Sequence, residues 1–567
     1  MDIIKSIASS VVLDGVSCNI ADLITEVQDK ANGDYCIPCF SLSKELKKSP
    51  IQIANEIKDN FRQNGVVDRI EVVNGYVNFF LNKGGVIERA LSEVNLDIPF
   101  APRKEYKNKV LCIDYSSANL AKYMHIGHLS TTIIGETLAR LHEALGYKVV
   151  RINYIGDYGT PFGKMVYAYI EWGNADMLEK RGVDYIQELY IEFYKRSESD
   201  PALIEQAREC FKKIDQKESD VHTIYQKFIE ISKQEAKSIL DKLGVQFDSW
   251  KGESAYSDEL SNVVKMIEAK SLLKASDGAL VVDLEPYDLG TCLIQKSDGT
   301  SLYATRDIAA ALDRYKAYKF DKMLYVTGSD QRLHFKQFFK VLELLGNTFS
   351  RNLTHVDYGL FSLPTGKISS RRGKQAVLRD LMEYSYQKAF EVVKNRDYTQ
   401  TQKEDIASKI ALSALKYNAI KTERVKDSVF DIENCFSFDG DTSAYMQYTY
   451  ARISSVLRKA GYVNQGKVGN QHNIDYSYLN SPEVFNIVFL MNNYAPTLDR
   501  ALANNEPSTL SKFAMELCKL TNKFYASEKV ITDDKASTNA KLFLLSNILK
   551  TLEHIFYLIC IDIIKEM

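Results

Sequence analysis

Two histidines separated by an apolar residue and a glycine, His125-Ile126-Gly127-His128, are the part of this chain best suited to chemistry. They lie in Ser116-Ser117-Ala118-Asn119-Leu120-Ala121-Lys122-Tyr123-Met124-His125-Ile126-Gly127-His128-Leu129. Just upstream, Val110-Leu111-Cys112-Ile113-Asp114-Tyr115 reads as a buried strand. Residues 129–146 read as a helix with Ile133, Ile134, Leu138, Leu141 and Leu145 on one face. Gly146 is a helix stop, and Tyr147 to Tyr154 reads as the next strand. The result is a β–α–β unit with two imidazoles and a glycine at the mouth of its helix. A helix start aims backbone N–H groups and a positive dipole end at whatever sits above the sheet. Gly127 would let a nucleotide approach the backbone, and imidazoles can donate to phosphate oxygens. The chemistry that fits is ATP binding on an open parallel sheet. The plainer reading of the same residues is two histidines that cap a helix.

The flanks of this string say more. Asp114 to Tyr158, above all S-S-A-N-L-A-K-Y-M-H-I-G-H-L-S-T-T-I-I-G and I-G-D-Y-G-T-P-F-G, closely resembles the arginyl-tRNA synthetases, a class I synthetase family. The resemblance spans nearly the whole chain. It is specific again around 303–334 and 430–455 and loose before residue 100. It implies that arginine is activated by ATP, with Mg²⁺, to arginyl-adenylate. The arginyl group then passes to the 3′-terminal adenosine of tRNA(Arg).

The family match also implies residue roles. Lys367-Ile368-Ser369-Ser370-Arg371 resembles the class I K-M-S-K-S loop, which meets the ATP phosphates. Phosphate binding then falls to His125, Gly127, His128, Lys367, Ser369 and Arg371. The second loop lysine is replaced by Ser370, and Lys122 is the candidate for the missing cation. Attack on the α-phosphate builds charge on the departing pyrophosphate, so a cation is needed there. Lys122, His125, His128 and Lys367 form the expected catalytic set. Tyr303-Ala304-Thr305-Arg306-Asp307-Ile308 resembles the segment that holds the arginine guanidinium. A carboxylate matches a planar guanidinium with two parallel hydrogen bonds, and Asp307 is that carboxylate. The match adds Asp114, Ser116, Asn119, Tyr303 and Gln331 to the arginine site. The competing reading of Asp307 is an ion pair with Arg306 or Arg314. Near the C-terminus, Tyr445, Tyr448 and Arg452 share one helix face and are the expected anticodon contacts.

Composition sets bounds on this reading. The chain has 567 residues, enough for three or four domains, with 45% hydrophobic and 26% charged residues. No apolar run is long enough for a membrane helix. The N-terminus lacks the marks of a secretory or transit peptide, so a cytoplasmic protein without membrane contact is expected. Nine cysteines, an odd number spread over the chain, fit a reducing compartment. Cys36 and Cys39 read as ordinary thiols, and no metal site is expected. A net charge of -2 does not announce a nucleic-acid binder, so RNA binding rests on the resemblance.

The expected architecture is α/β plus all-α. Residues 1–105 read as a small N-terminal α+β module, similar in position to the family's tRNA-elbow-binding domain. Leu42 to Phe61 looks helical, and Asn74-Gly75 signals a hairpin. Residues 106–395 read as a Rossmann-like, doubly wound parallel-sheet catalytic domain, with a helical insertion at about 174–272. Residues 396–567 read as a helical anticodon-binding bundle. A monomer is expected. Two other functions fit parts of the pattern. One is an H-x-G-H nucleotidyltransferase working without tRNA, which would have no use for the helical bundle. The other is a non-catalytic tRNA-binding paralogue, which would not need both histidines.

Overall fold

The computed structural model describes residues 3–27, 29–93, 102–296, 303–364, 377–462 and 474–567. The chain opens with a four-stranded antiparallel sheet: β1 (Thr25–Glu26), β2 (Tyr35–Pro38), β3 (Val67–Val73) and β4 (Tyr76–Leu81), in the order β1–β2–β4–β3. Asn74 and Gly75 join β3 to β4 with φ of 50° and 85°. Both central residues of a tight type I′ hairpin need positive φ, which explains the Asn-Gly pair. The expected helix from Leu42 to Phe61 is two helices, Ser43–Leu46 and Pro50–Asn60. Lys47 turns left-handed, with φ of 50°. Ser49 and Gln52 then form a capping box over Pro50, which cannot continue a preceding helix.

The catalytic core follows. β5 (Val110–Asp114) leads through the helix Ile126–Ala144 to β6 (Lys148–Ile152). Helices Thr160–Trp172, Ala175–Arg181, Val183–Ser199, Ala202–Asp215 and Ser219–Lys242 come next. A small antiparallel sheet of β7 (Leu273–Ser276), β8 (Ala279–Asp283) and β9 (Thr291–Gln295) was not foreseen. Its strands are short, and Ala279-Leu280-Val281-Val282 in β8 is the brief apolar run that marks it. The chain returns through the helix Tyr303–Tyr318, β10 (Lys322–Gly328), the helix Arg332–Leu344 and β11 (Leu353–Tyr358).

β5, β6, β10 and β11 form one parallel sheet in the order β11–β10–β5–β6. Leu111, Cys112 and Ile113 are fully buried, as in a strand covered on both faces. The chain leaves β5 toward β6 on one side, while β10 lies on the other. Such a reversal opens a crevice beyond the carboxyl ends of the strands.

The rest is helical apart from a short parallel pairing of Phe361–Ser362 with Ser428–Val429; its helices are Leu378–Val393, Gln400–Ile420, Ser443–Lys459, Pro482–Asn492, Tyr494–Asn504, Ser508–Ser527 and Lys535–Leu558. Leu517, Leu544, Leu545, Ile548 and Leu552 fill its core. The helix Ile126–Ala144 is buried along most of its length, with the sheet against it and Gln400–Ile420 packed on it.

Candidate active site

The helix Ile126–Ala144 begins at the two histidines, three residues earlier than its apolar periodicity suggests. His125 is its N-cap. The Gly127 N–H donates to His125 Nδ1 at 3.1 Å, and the His125 N–H donates to His128 Nδ1 at 3.0 Å. A neutral imidazole that accepts at Nδ1 carries its proton on Nε2. Both rings therefore cap the helix and keep an N–H to donate. Burial holds His125 below the usual histidine range, and the nearby Lys122 charge lowers it further. Burial takes His128 down to about 3, with His125 adding to the shift. Both rings are thus neutral donors near pH 7. Capping and phosphate binding, the two readings of these histidines, are compatible.

The structure gives Gly127 a more immediate role than backbone access for a nucleotide. A Cβ there would lie 2.9 Å from His125 Cε1, so the glycine makes room for the ring that caps it. Lys122 is exposed on the loop just before the helix. Lys367, Ser369 and Arg371 lie outside the described residues.

A cavity of about 500 Å³ opens at the crevice. Asp114, Asn119, Tyr303, Asp307 and Gln331, expected from widely separated segments, line it together. Ser116 is buried but is not among the lining residues; its neighbour Ser117 is. Ser116 and Ser117 have φ of 68° and 45°, a left-handed pair that turns the chain sharply after β5. The Ser117 Oγ donates to Asp114 Oδ1 at 2.8 Å.

The two expected carboxylates differ. Asp114 pairs with Arg314 at 2.9 Å, and both side chains are buried. Burial pushes the Asp114 carboxyl up, while Arg314 and Ser117 pull it back. Its charge is already matched within the protein. Asp307 instead meets His334, whose Nε2 lies 2.6 Å from Asp307 Oδ2. The expected competitors for Asp307 are occupied elsewhere. Arg314 holds Asp114, and Arg306 lies 3.8 Å over the Tyr158 ring and donates to the Glu253 carbonyl at 3.1 Å. Tyr303 begins the helix that carries Asp307 and is 68% exposed, so its ring stands at the cavity mouth.

Glu253, His334 and Tyr154 are among the lining residues that escaped the reading of the sequence. Burial, and then the Asp307 charge, push the Glu253 carboxyl up to about 7. Asp157 positions it by accepting from the Ser254 N–H at 2.8 Å and Ser254 Oγ at 2.7 Å. A Cβ at Gly252 would sit 2.6 Å from the Asp157 carboxylate, so only glycine fits there. The buried Tyr154 hydroxyl has no hydrogen-bond partner among the described residues. The cavity thus offers three carboxyls, of which Asp114 is already paired with Arg314, with an imidazole and hydroxyls around aromatic walls, which suits a cationic, planar side chain.

Farther off, Tyr445, Tyr448 and Arg452 lie on the helix Ser443–Lys459 and are half-buried. Arg452 Nη2 donates to Tyr448 OH at 2.9 Å, and its guanidinium lies over the Tyr448 and Tyr525 rings. Tyr445 packs against the core. The expected face exists, with Tyr525 beside it.

Comparison with known proteins gives the family of the chain. Residues 91–432 match the family described as tRNA synthetases class I (R), catalytic domain. Residues 446–567 match the DALR anticodon binding domain, and residues 2–81 match the arginyl tRNA synthetase N terminal domain. A protein described as arginine–tRNA ligase from Clostridium botulinum is 38% identical over 547 residues, 96% of each chain. One of the same description from Clostridium perfringens is 37% identical over 551 residues, covering 97% of this chain and 96% of that one. The fold is similar to the Thermus thermophilus arginyl-tRNA synthetase, with a TM-score of 0.79 at 23% identity over 99% of both chains. It is also similar to the Plasmodium falciparum arginyl-tRNA synthetase, with a TM-score of 0.76 at 22% identity over 100% of this chain and 97% of that one.

Proposed function

The chain belongs to the arginyl-tRNA synthetase family, and on that premise we propose that its cavity holds the arginine side chain between Asp307 and Glu253, while His125, His128 and Lys122 serve the ATP phosphates. The activity is that of an arginine–tRNA ligase, with arginine, ATP and tRNA as substrates. The observation that carries the site assignment is the meeting of Asp307, Glu253, Asn119 and Gln331 in one cavity at the carboxyl ends of β5 and β10.

The arginine carboxylate attacks the α-phosphorus of ATP. A bond forms from carboxylate oxygen to phosphorus, and the bond to the β-phosphate breaks, releasing pyrophosphate. A tRNA 3′-terminal adenosine hydroxyl then attacks the adenylate carbonyl and displaces AMP. The side chains orient the reactants and stabilise phosphate charge. The Nε2–H groups of His125 and His128 donate to phosphate oxygens, and Lys122 supplies the cation that Ser370 cannot. Asn119 and Gln331 hold the α-amino end of arginine, with Asp114 and Ser116 supporting that side of the pocket. Tyr303 covers the mouth. Lys367, Ser369 and Arg371 complete the phosphate site in the family's manner. Mg²⁺ arrives with ATP. Phosphate oxygens and waters are the hard ligands that Mg²⁺ favours.

The anticodon face is assigned to Tyr445, Tyr448 and Arg452. Residues 1–105, 106–395 and 396–567 are taken as the tRNA-elbow, catalytic and anticodon units. No helix among the described residues is long and apolar enough to cross a membrane, and we assign the enzyme to the cytoplasm as a monomer. Pyrophosphate exchange in the presence of cognate tRNA tests the pocket. Arginine should support exchange and citrulline, its neutral near-isostere, should not. Equal exchange with citrulline would refute a carboxylate-lined pocket.

A further inference from the structure

Lys122 stands in a crowded electrostatic setting. It lines a small gap of about 20 Å³ together with Tyr123, Met124, Glu235 and Val377. Two carboxylates of the helical insertion belong to this neighbourhood, Asp184 and Glu235. One guanidinium holds both: Arg379 Nη2 bonds Asp184 Oδ1 at 2.9 Å, and Arg379 Nη1 bonds Glu235 Oε1 at 2.8 Å. Tyr123, next to Lys122, donates its hydroxyl to the same Asp184 oxygen at 2.7 Å. The Arg379 guanidinium also lies 5.7 Å from the Tyr123 ring centroid.

The backbone around Lys122 is fastened by the same parts. Gln187 of the insertion donates to the Ala121 carbonyl at 2.8 Å. The Leu378 N–H, beside Arg379, donates to the Met124 carbonyl at 2.8 Å, and Val377 bridges to His125. The Lys122 side chain is left exposed, and its charge is felt by the His125 ring.

A lysine beside two unmatched carboxylates would be drawn to them. A planar guanidinium with two parallel donors is the group that can match both at once. We propose that Arg379 is a positioning residue that occupies Asp184 and Glu235 and so leaves the Lys122 ammonium free for the ATP phosphates. The proposal rests on the reading of Lys122 given above. Arg379 touches no reacting atom; it acts on which anion Lys122 meets.

The test is a set of variants of the full chain, measured by pyrophosphate exchange with cognate tRNA. Lys122→Ala should slow adenylate formation by about 10²–10³, the scale of one preorganised donor. Arg379→Ala should slow it by about tenfold or more with little change in arginine KM, since the arginine pocket is untouched. Arg379→Lys, which keeps the charge but can match one carboxylate, should fall between. Adding Glu235→Gln to Arg379→Ala should recover part of the rate, because a competitor for Lys122 is gone. A residue that merely braces the fold would show the opposite, a further loss. In the Lys122→Ala background, Arg379→Ala should cost almost nothing. A normal rate for Arg379→Ala, a loss deepened by Glu235→Gln, or full additivity with Lys122→Ala would overturn the proposal while leaving Lys122 in its role. A normal rate for Lys122→Ala alone would overturn the role of Lys122 itself, and the action assigned to Arg379 with it.

Discussion

A carboxyl that titrates near neutrality beside a cationic substrate makes binding depend on pH. Glu253, pushed up to about 7 by burial and by Asp307, is such a group. Below that value it is largely protonated and offers the guanidinium no charge. Above it the carboxylate is present, and a bound guanidinium holds it ionised. The KM for arginine should therefore fall as pH rises from about 6 to about 8 and then level. Glu253→Gln should raise KM and flatten the curve; an unchanged pH curve would contradict this. At this scale the sequence was informative where a residue lies inside a recognisable string, as with His125, His128 and Asp307. Glu253 and His334 join the cavity only through the fold, and no local spacing links either to Asp307. Asp114 lines the cavity as expected, but its ion pair with Arg314 could not be read, because the two are far apart in the chain and meet only in the fold.

Elements place these groups, and the helix Ile126–Ala144 places the two histidines. Gly135 on it faces Tyr115, the residue after β5. A Cβ at Gly135 would lie 2.3 Å from Tyr115 Cγ. Tyr115 cannot yield easily, since it is fully buried and its hydroxyl donates to Glu136 at 2.6 Å. Gly135→Ala should therefore overpack the contact and cost about 1–3 kcal/mol. Thermal unfolding should show a lower Tm, and adenylate formation should fall because the helix carries both histidines. An unchanged Tm would mean the helix can shift freely against β5. The parallel strands were legible because strands covered on both faces are continuous apolar runs. The sheet of β7, β8 and β9 was not, although it supports the cavity wall: Thr305 Oγ1 donates to the Ile294 carbonyl at 2.6 Å. The break between Ser43–Leu46 and Pro50–Asn60 had a visible signal in Ser49-Pro50, which apolar spacing outweighed.

On the scale of the molecule, the helix that presents the histidines is gripped at its far end by distant parts of the chain. Arg140 donates to the Tyr557 carbonyl at 2.8 Å and to the Gly244 carbonyl at 3.0 Å. It also pairs with Glu136 at 2.7 Å, and Arg151 reaches the same carboxylate at 3.3 Å. Lys322 at the start of β10 contacts His142 at 3.1 Å and Asn505 at 3.3 Å. The insertion and the C-terminal helices therefore brace the catalytic helix directly. The helical nature of the C-terminal part was legible from its periodicity. Its docking on that helix was not, because such contacts join residues hundreds of positions apart. The loop that leads into this helix supplies Asn119 to the cavity, and the central claim is that Asp307 in that cavity selects arginine. The most direct test is the steady-state kinetics of full-length Asp307→Ala in tRNA arginylation. Removing one partner of a partly buried charge pair costs about 2–5 kcal/mol. The account predicts a rise in arginine KM on that scale, with the KM for ATP nearly unchanged and Tm preserved. Normal arginylation by Asp307→Ala at low arginine concentration would contradict it.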